Sequence, residues 1–249
     1  MREIEFTILE NKPITDDICK MVLECSAGEH GITAPGQFIN IKIDGLFLRR
    51  PISICDWTET TVTVIYKVVG KGTELLKTYE PGRQLNALSA LGNGFAPARA
   101  GQRPLLIGGG VGVPPLYGLC RNLIEAGARP TVILGFNTEH EVFYKEEFEK
   151  LGAEVLVATA DGSIGQKGFV TDVLRNIKEP ATFFYTCGPE PMLKALDKAL
   201  AEGLEGEMSF EERMGCGFGA CMGCSCETRY GAKRICKDGP VLERSEILW

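Results

Sequence analysis

Over residues 1–98, apolar and polar positions alternate in short runs. "REIEFTILENKPI", "ICKMVLEC", "QFINIKI", "LFLRRPISIC" and "TVTVIYKVV" each read as a β-strand, because a period of two sends successive side chains to opposite faces. Turn pairs such as Pro35-Gly36, Asp44-Gly45 and Pro81-Gly82 separate them. Several short strands at this spacing predict an antiparallel barrel or sandwich.

Near Gly101 the pattern changes. "RPLLIGG" is a short, continuously apolar strand, and "PPLYGLCRNLIEAG" is a helix opened by Pro114-Pro115 and closed by Gly127. Strand "PTVILGFN", helix "KEEFEKLG", strand "EVLVAT", helix "FVTDVLRNI", strand "TFFYTCG" and helix "PMLKALDKALAEG" follow. Such alternation, with strands apolar on both faces, predicts a parallel sheet covered by helices on each side. From about Glu207 the regular pattern stops. The expected fold class is therefore mixed β and α/β: a barrel over residues 1–98, an α/β domain over 99–206 and a small C-terminal domain over 207–249. No repeat or low-complexity linker interrupts the chain, so the three parts are expected to pack together.

Composition narrows the function. A hydrophobic content of 44% and a charged content of 24% over 249 residues suit a globular protein with a sizeable core. The net charge of −6, without a long basic run, argues against a nucleic-acid partner. No run approaches the roughly 18 apolar residues of a membrane span, and "MREIEFTILENKPITDD" lacks the apolar core of a signal peptide. The expected location is the cytoplasm. There, ten cysteines need a reason other than disulfides. Cys19, Cys25, Cys55, Cys120 and Cys187 lie in apolar contexts and read as small buried hydrophobes. The other five fall at or after residue 216.

"GCGFGACMGCSC" (215–226) and Cys236 carry the spacing Cys216-x4-Cys221-x2-Cys224-x11-Cys236. C-x4-C-x2-C with a distant fourth cysteine is the plant-type [2Fe–2S] arrangement. The glycines let a tight loop bring backbone N–H groups near the sulfurs. A four-cysteine zinc site also uses thiolates, but usually through two C-x2-C pairs, of which this chain has one. Cys226 is a fifth thiol without an evident task.

"LLIGGGVGVPPL" sets Gly108, Gly109, Gly110 and Gly112 between a strand and a helix, a turn able to receive a diphosphate on backbone amides. It departs from the Rossmann fingerprint, since Gly108-x-Gly110-x-x leads to Val113. "TCGPEPM" repeats the device at the last strand, with Cys187, Gly188 and Pro189. Ligands of open parallel sheets sit at the carboxyl ends of strands, so the two turns could form one site.

In this order the two motifs resemble the pyridine-nucleotide domain of the ferredoxin–NADP reductase superfamily. The resemblance implies that the preceding barrel binds a flavin. The superfamily's Arg-x-Tyr-Ser flavin motif is matched by Arg50-Pro51-Ile52-Ser53, with Ile52 where many members have Tyr. A guanidinium at Arg50 suits a phosphate, and the Ser53 hydroxyl suits a ring nitrogen. "GKGTELL" (70–76) would offer Gly72 and Thr73 at a helix start as a second anion site.

Barrel, nucleotide domain and thiol tail together, with "LRRPISI", "GKGT", "LGNGF", "FYKEEFE", "DGSIGQKGFVTDVL" and "CGFGACMGCSC", resemble the electron-transfer subunit of class 1B dihydroorotate dehydrogenase over nearly the whole chain. The gap before Cys236 is somewhat shorter than that family's. Membership would imply FAD on Arg50, Pro51, Ile52, Ser53, Ile65, Tyr66, Lys67, Gly72 and Thr73. It would imply a [2Fe–2S] cluster on Cys216, Cys221, Cys224 and Cys236. The partner implied is an FMN-containing catalytic subunit that oxidises dihydroorotate in pyrimidine biosynthesis, in an assembly expected to be a dimer of heterodimers. Hydride exchange between flavin and nicotinamide, and single-electron exchange with the cluster, would then be the chemistry. Cys187 lies where a nicotinamide could touch it.

With only His30 and His140, both in polar surface-like contexts, no acid–base site of the chain's own is expected and the chemistry belongs to cofactors. NAD is preferred over NADP, because the turn Asn137-Thr138-Glu139-His140-Glu141 is acidic where a 2′-phosphate would need Arg or Lys. Two other readings share these residues: the flavin and iron–sulfur subunit of a ferredoxin:NAD(P) oxidoreductase or hydrogenase-type complex, and a redox sensor or electron-carrier module. A sensor would not need the two-turn nucleotide domain.

Overall fold

The computed structural model describes residues 1–177 and 179–249. Six strands close into an antiparallel barrel: β1 (Arg2–Pro13), β2 (Ile18–Glu24), β3 (Phe38–Ile41), β4 (Arg50–Trp57), β5 (Thr61–Lys67) and β6 (Gln84–Leu91), in the spatial order β1-β2-β5-β4-β3-β6. Alternation is clean in β1 and β2, whose Ile4, Phe6, Ile8, Met21 and Leu23 fill the interior. Short helix α1 (Lys71–Lys77) spans from β5 towards β6. Strand β6 is absent from the sequence expectation. Its "QLNALSAL" is rich in alanine, serine and asparagine, which β-propensity disfavours. It forms because Leu85, Ala87 and Leu91 are buried and its two neighbours, β1 and β3, supply hydrogen bonds.

The second layer alternates as expected, with two unexpected short strands, β10 and β12, added: β7 (Pro104–Gly109), α2 (Pro114–Glu125), β8 (Thr131–Phe136), α3 (Lys145–Leu151), β9 (Glu154–Thr159), β10 (Gln166–Lys167), α4 (Val170–Leu174), β11 (Phe183–Cys187), α5 (Glu190–Ala199) and β12 (Gly206–Ser209). The sheet runs β10-β9-β8-β7-β11-β12, all parallel, with an antiparallel edge strand β15 (Val241–Glu243) beside β12. Alternate residues of β7 reach different cores. Leu106 packs with Leu116, Leu119 and Phe148 of α2 and α3, and Leu105 and Ile107 with Val170, Val173, Leu193 and Leu196 of α4 and α5.

The tail is not a separate layer. The sheet continues through the expected boundary at 206/207 as β12 and takes β15 from within the tail; strands of four and three residues carry too little periodicity to be read. Between them lie the thiol loop and a hairpin of β13 (Ser225–Thr228) and β14 (Gly231–Arg234). Cys224, Ile235 and Cys236 share a core with Phe38 and Leu91 of the barrel and Leu193 of α5, so the three parts pack together. Barrel and α/β domain meet where Arg121 of α2 pairs with Asp56 of β4 at 2.8 Å.

Two expectations about side chains resolve differently. The five scattered cysteines are all buried. His30, expected at the surface, is buried as well: its Nε2 meets the Thr58 carbonyl at 2.9 Å and its Nδ1 accepts the Ile32 N–H. The polar "GEHG" context belongs to its neighbours, while the imidazole closes a loop inside. His140 is exposed. Among the described residues no helix is long and apolar enough to cross a membrane.

Candidate functional site

The register of two parallel strands builds the nucleotide cavity. Cys187 at the end of β11 pairs with Gly108 of β7, which sets the two glycine-bearing turns side by side. After β7 the chain makes a single 3-10 turn, Gly110–Gly112, into α2, and Pro114-Pro115 pre-set the backbone of the helix start. After β11, Pro189 and Pro191 do the same for α5. Glycine is required at 112 because a Cβ there would overlap the Cys187 carbonyl. Gly109, Gly110, Gly112, Gly188 and Pro189 line one cavity of about 590 Å3 at the carboxyl ends of the strands. That volume and place suit a nucleotide.

Gly108 does not line it, and packs instead against Val113, where a Cβ would meet Val113 Cα at 3.0 Å. The Cys187 side chain does not line it either. It lies in the core with Tyr185 and Leu116, where burial and then the charge of Glu211 push its thiol up to about 12. Asn137 and Glu141 do reach the cavity. The Glu141 carboxylate accepts from the Asn137 backbone N–H at 3.2 Å and side-chain amide at 2.9 Å, which fixes an acidic group at the end of β8.

The flavin-motif residues gather on the barrel. In the pairing of β3 with β4, Pro51 faces Asn40 and Ser53 faces Phe38. The Ser53 hydroxyl makes no hydrogen bond among the described residues. Arg50 donates from Nη1 to the Leu48 carbonyl at 2.7 Å and has no carboxylate partner among the described residues. Its guanidinium lies over the first turn of α1, so close that a Cβ on Gly72 would sit 2.6 Å from Nη2. A guanidinium without a carboxylate partner above Gly72, in the first turn of a helix, is a fitting cradle for a diphosphate.

Three residues expected as ligands have other work for their side chains. The Thr73 hydroxyl accepts from Val69 N–H at 2.9 Å and closes the turn before α1. Tyr66 is inside the barrel with its hydroxyl donating to Asn11 Oδ1 at 2.8 Å; burial, then Cys19, raises its phenol. Ile65 is buried between barrel and α/β domain. A ligand would meet only backbone at these two strand positions. Ile52 packs part of its surface on the barrel core. Lys67, the last residue of β5, reaches the nucleotide cavity, so flavin strand and cavity share a side chain.

The thiols come together in pairs. The Cys216 amide donates to Cys221 Sγ at 3.5 Å, and the amides of Phe218, Ala220 and Cys221 donate to Cys216 Sγ at 3.5, 3.2 and 3.4 Å. The Cys236 amide donates to Cys224 Sγ at 3.4 Å. Gly217 and Gly219 take φ of 78° and 91°, the left-handed turns that aim these amides inward. Burial raises the Cys216 thiol, but the amide bonds outweigh it and bring it down to about 6. Cys236 moves the other way, up to about 12, through burial and then the Cys224 and Cys216 sulfurs. Thiolates this close need positive charge between them. Two pairs suit two irons. Cys226 lies in β13, partly buried, with its thiol raised by burial and then by Glu212.

Sequence reasoning did not single out Glu211, and it quoted the segment holding Gly168–Thr171 only as part of a resemblance, without a site role; both line the cavity. Glu211 is exposed and lines both this cavity and the neighbouring groove, and desolvation there raises its carboxyl. It sits between β12 and the thiol loop, where no periodicity marks it.

A flavin barrel joined to a pyridine-nucleotide sheet defines the ferredoxin-reductase-like class of oxidoreductases. Comparison with known structures agrees. A structure described as the NADH-dependent reduced ferredoxin-NADP oxidoreductase superposes with a TM-score of 0.88 at 30% identity, over 98% of this chain and 90% of that one. A cytochrome P450 reductase from Amycolatopsis shares the fold at 21% identity and a TM-score of 0.71, over 80% of this chain and 65% of its own.

The thiol tail narrows the class. Residues 211–248 match the iron-sulfur cluster binding domain of dihydroorotate dehydrogenase B, and residues 106–198 match the oxidoreductase NAD-binding domain. Proteins named dihydroorotate dehydrogenase B (NAD(+)), electron transfer subunit, are 44% identical in Geobacillus sp. (strain WCH70), over 100% of this chain and 99% of that one. The counterpart in Fusobacterium nucleatum is 43% identical, over 99% of each. The chain belongs to this family of dihydroorotate dehydrogenase B electron transfer subunits. It is an oxidoreductase subunit whose domains fit a [2Fe–2S] cluster, FAD and NAD.

Proposed function

We propose that the chain carries electrons from dihydroorotate, oxidised on an FMN-containing catalytic subunit, through a cluster on Cys216, Cys221, Cys224 and Cys236 and through FAD to NAD. The observation that carries this reading is the position of the barrel between the other two sites. Its β3 touches the thiol loop through Asn40 and the Cys216 carbonyl, at 3.4 Å, and its β5 ends in Lys67 at the nucleotide cavity. When bound, the flavin supplies the exchange between a two-electron hydride and two single electrons.

The chain's own residues bind and orient. Arg50 and the start of α1 would hold a diphosphate, Ser53 would offer its free hydroxyl to the flavin, and the turns at Gly110–Gly112 and Gly188-Pro189 would receive the dinucleotide. Glu141 favours a free ribose hydroxyl over a phosphate. The dimer of heterodimers and the cytoplasmic location belong to the same reading. Ferredoxin:NADP oxidoreductase, named for the structural relative at 30% identity, marks the rival partner.

The test is anaerobic. NADH and orotate are supplied to the purified holo-subunit alone, with the catalytic subunit from the same source, and with ferredoxin. Orotate reduction only in the mixture with the catalytic subunit supports the proposal. Turnover with ferredoxin and none with orotate would move the chain to the other partner.

A further inference from the structure

Asn40 is a polar residue where the surroundings ask for an apolar one. It is 1% exposed, on the outer face of β3. Phe38, two residues earlier on the same face, packs with Cys224, Ile235 and Cys236. A branched apolar side chain at 40 would extend that contact. Instead the Asn40 amide Nδ2 donates to the Cys216 carbonyl at 3.4 Å, while Oδ1 is buried with no partner among the described residues. A buried acceptor left unsatisfied is unusual for a residue that only packs, and asks for a functional reason.

The geometry around the amide supplies one. Asn40 lies opposite Pro51 of the flavin motif, so its side chain ties the strand beside that motif, β3, to the thiol loop. The loop leaves no space there: a Cβ on Gly217 would collide with Asn40 Nδ2. A trans peptide holds its carbonyl and N–H in opposed directions, so pinning the Cys216 carbonyl fixes the plane of the Cys216–Gly217 peptide. That peptide opens the turn whose next amides, of Phe218, Ala220 and Cys221, donate to Cys216 Sγ. Hydrogen bonds to the sulfurs help set the potential of an iron–sulfur cluster.

We propose that Asn40 is a positioning residue of the relay: by holding the Cys216–Gly217 peptide against β3, the barrel strand beside the flavin motif, it maintains the amide bonds to Cys216 Sγ and so sets the cluster's reduction potential. This rests on the proposed function only in assigning the cluster to these thiols. Loss of the amide loosens the loop, weakens those bonds and leaves the sulfur richer in electrons. The reduced cluster, which carries the extra negative charge, is then less stabilised, and the potential falls.

The experiment is an EPR-monitored redox titration of the purified holo-subunit and of Asn40→Leu and Asn40→Ala, with iron and FAD content measured in each. The expected result is full cofactor content, an unchanged flavin potential and a cluster reduction equilibrium shifted about tenfold towards the oxidised form, about 59 mV for a one-electron couple. A cluster potential and EPR spectrum equal to wild type in either loaded variant would overturn the proposal. Loss of the cluster from both variants, with FAD retained, would also overturn it, since Asn40 would then serve assembly. Absence of a [2Fe–2S] signal from the wild type would instead refute the proposed function.

Discussion

Arg50→Ala tests whether the flavin cradle is what its geometry suggests. In the structure one guanidinium N–H group is bound to the Leu48 carbonyl, no carboxylate neutralises the charge among the described residues, and the planar group lies over Gly72. Its remaining donors point to a phosphate role. A hydrogen bond to a charged group contributes about 1.5–3 kcal/mol, so the FAD dissociation constant should rise roughly ten- to a hundredfold. Gly72→Ala should give a smaller loss by a different route, because its Cβ, 2.6 Å from Nη2, displaces the guanidinium without removing it. The double variant should then resemble Arg50→Ala alone, since no guanidinium remains to be displaced. Flavin fluorescence, which rises on release, measures the constant by dilution, with the apoprotein melting temperature as the control for folding. An Arg50→Ala constant within about twofold of wild type, or fully additive losses, would refute the cradle.

The other sites allow sharper separations. Gly112→Ala drives a Cβ into the Cys187 carbonyl, which is backbone and cannot yield cheaply, so KM for NADH should rise about tenfold or more while FAD affinity stays put. Cys216→Ser should abolish the [2Fe–2S] EPR signal yet leave flavin bleaching by NADH intact, whereas Cys226→Ser should retain the signal; the reverse pattern would exchange the two assignments. Desolvation raises the Glu211 carboxyl above the ordinary glutamate range. Folding therefore favours its neutral form, and this contribution to stability is present at low pH and is lost as pH rises from the ordinary glutamate range through the raised folded value. Glu211→Gln should thus gain melting temperature relative to wild type as pH rises over that window, and a difference that does not change with pH would contradict the assignment.

What the sequence made legible follows from where its signals are local. The glycine turns, and each strand or helix of the alternation, occupy about a dozen residues or fewer, and the thiol spacing is fixed along one short stretch of chain. The failures involve information held elsewhere in the fold. "QLNALSAL" is a strand only because the barrel needs a sixth member between β1 and β3. Tyr66 is among the FAD contacts the resemblance implies, but strand parity turns its side chain inward to Asn11, and parity cannot be assigned an inside until the barrel closes. Cys187 follows the same logic: the motif brings its neighbours Gly188 and Pro189 to the cavity, and the core claims its sulfur. Glu211 and Asn40 were invisible because neither belongs to a periodic or spaced pattern, and only topology brings them to the cavity and the thiol loop.

The threading of the tail into the nucleotide sheet bears on how such a relay keeps its distances. The excursion from residue 210 to residue 240 begins at β12 and ends at β15, and these strands pair with each other, Ser209 opposite Val241. The loop that would hold the cluster is therefore closed at its base by a ladder of the same sheet that forms the nucleotide cavity. A second set of ties fixes it to the barrel end. Asn93 accepts from the Val241 N–H at 3.1 Å and donates to the Val241 carbonyl at 2.7 Å, and its own N–H donates to the Gly239 carbonyl at 2.7 Å. Arg99 adds a bond to Glu243 at 2.7 Å. With its base held by both domains, the thiol loop can displace only by disrupting one of them. A hinged tail would vary the gap between flavin and cluster; this one makes that gap a property of the packed core, and leaves the exposed side of the loop, with Phe218 and Met222, free to face another protein.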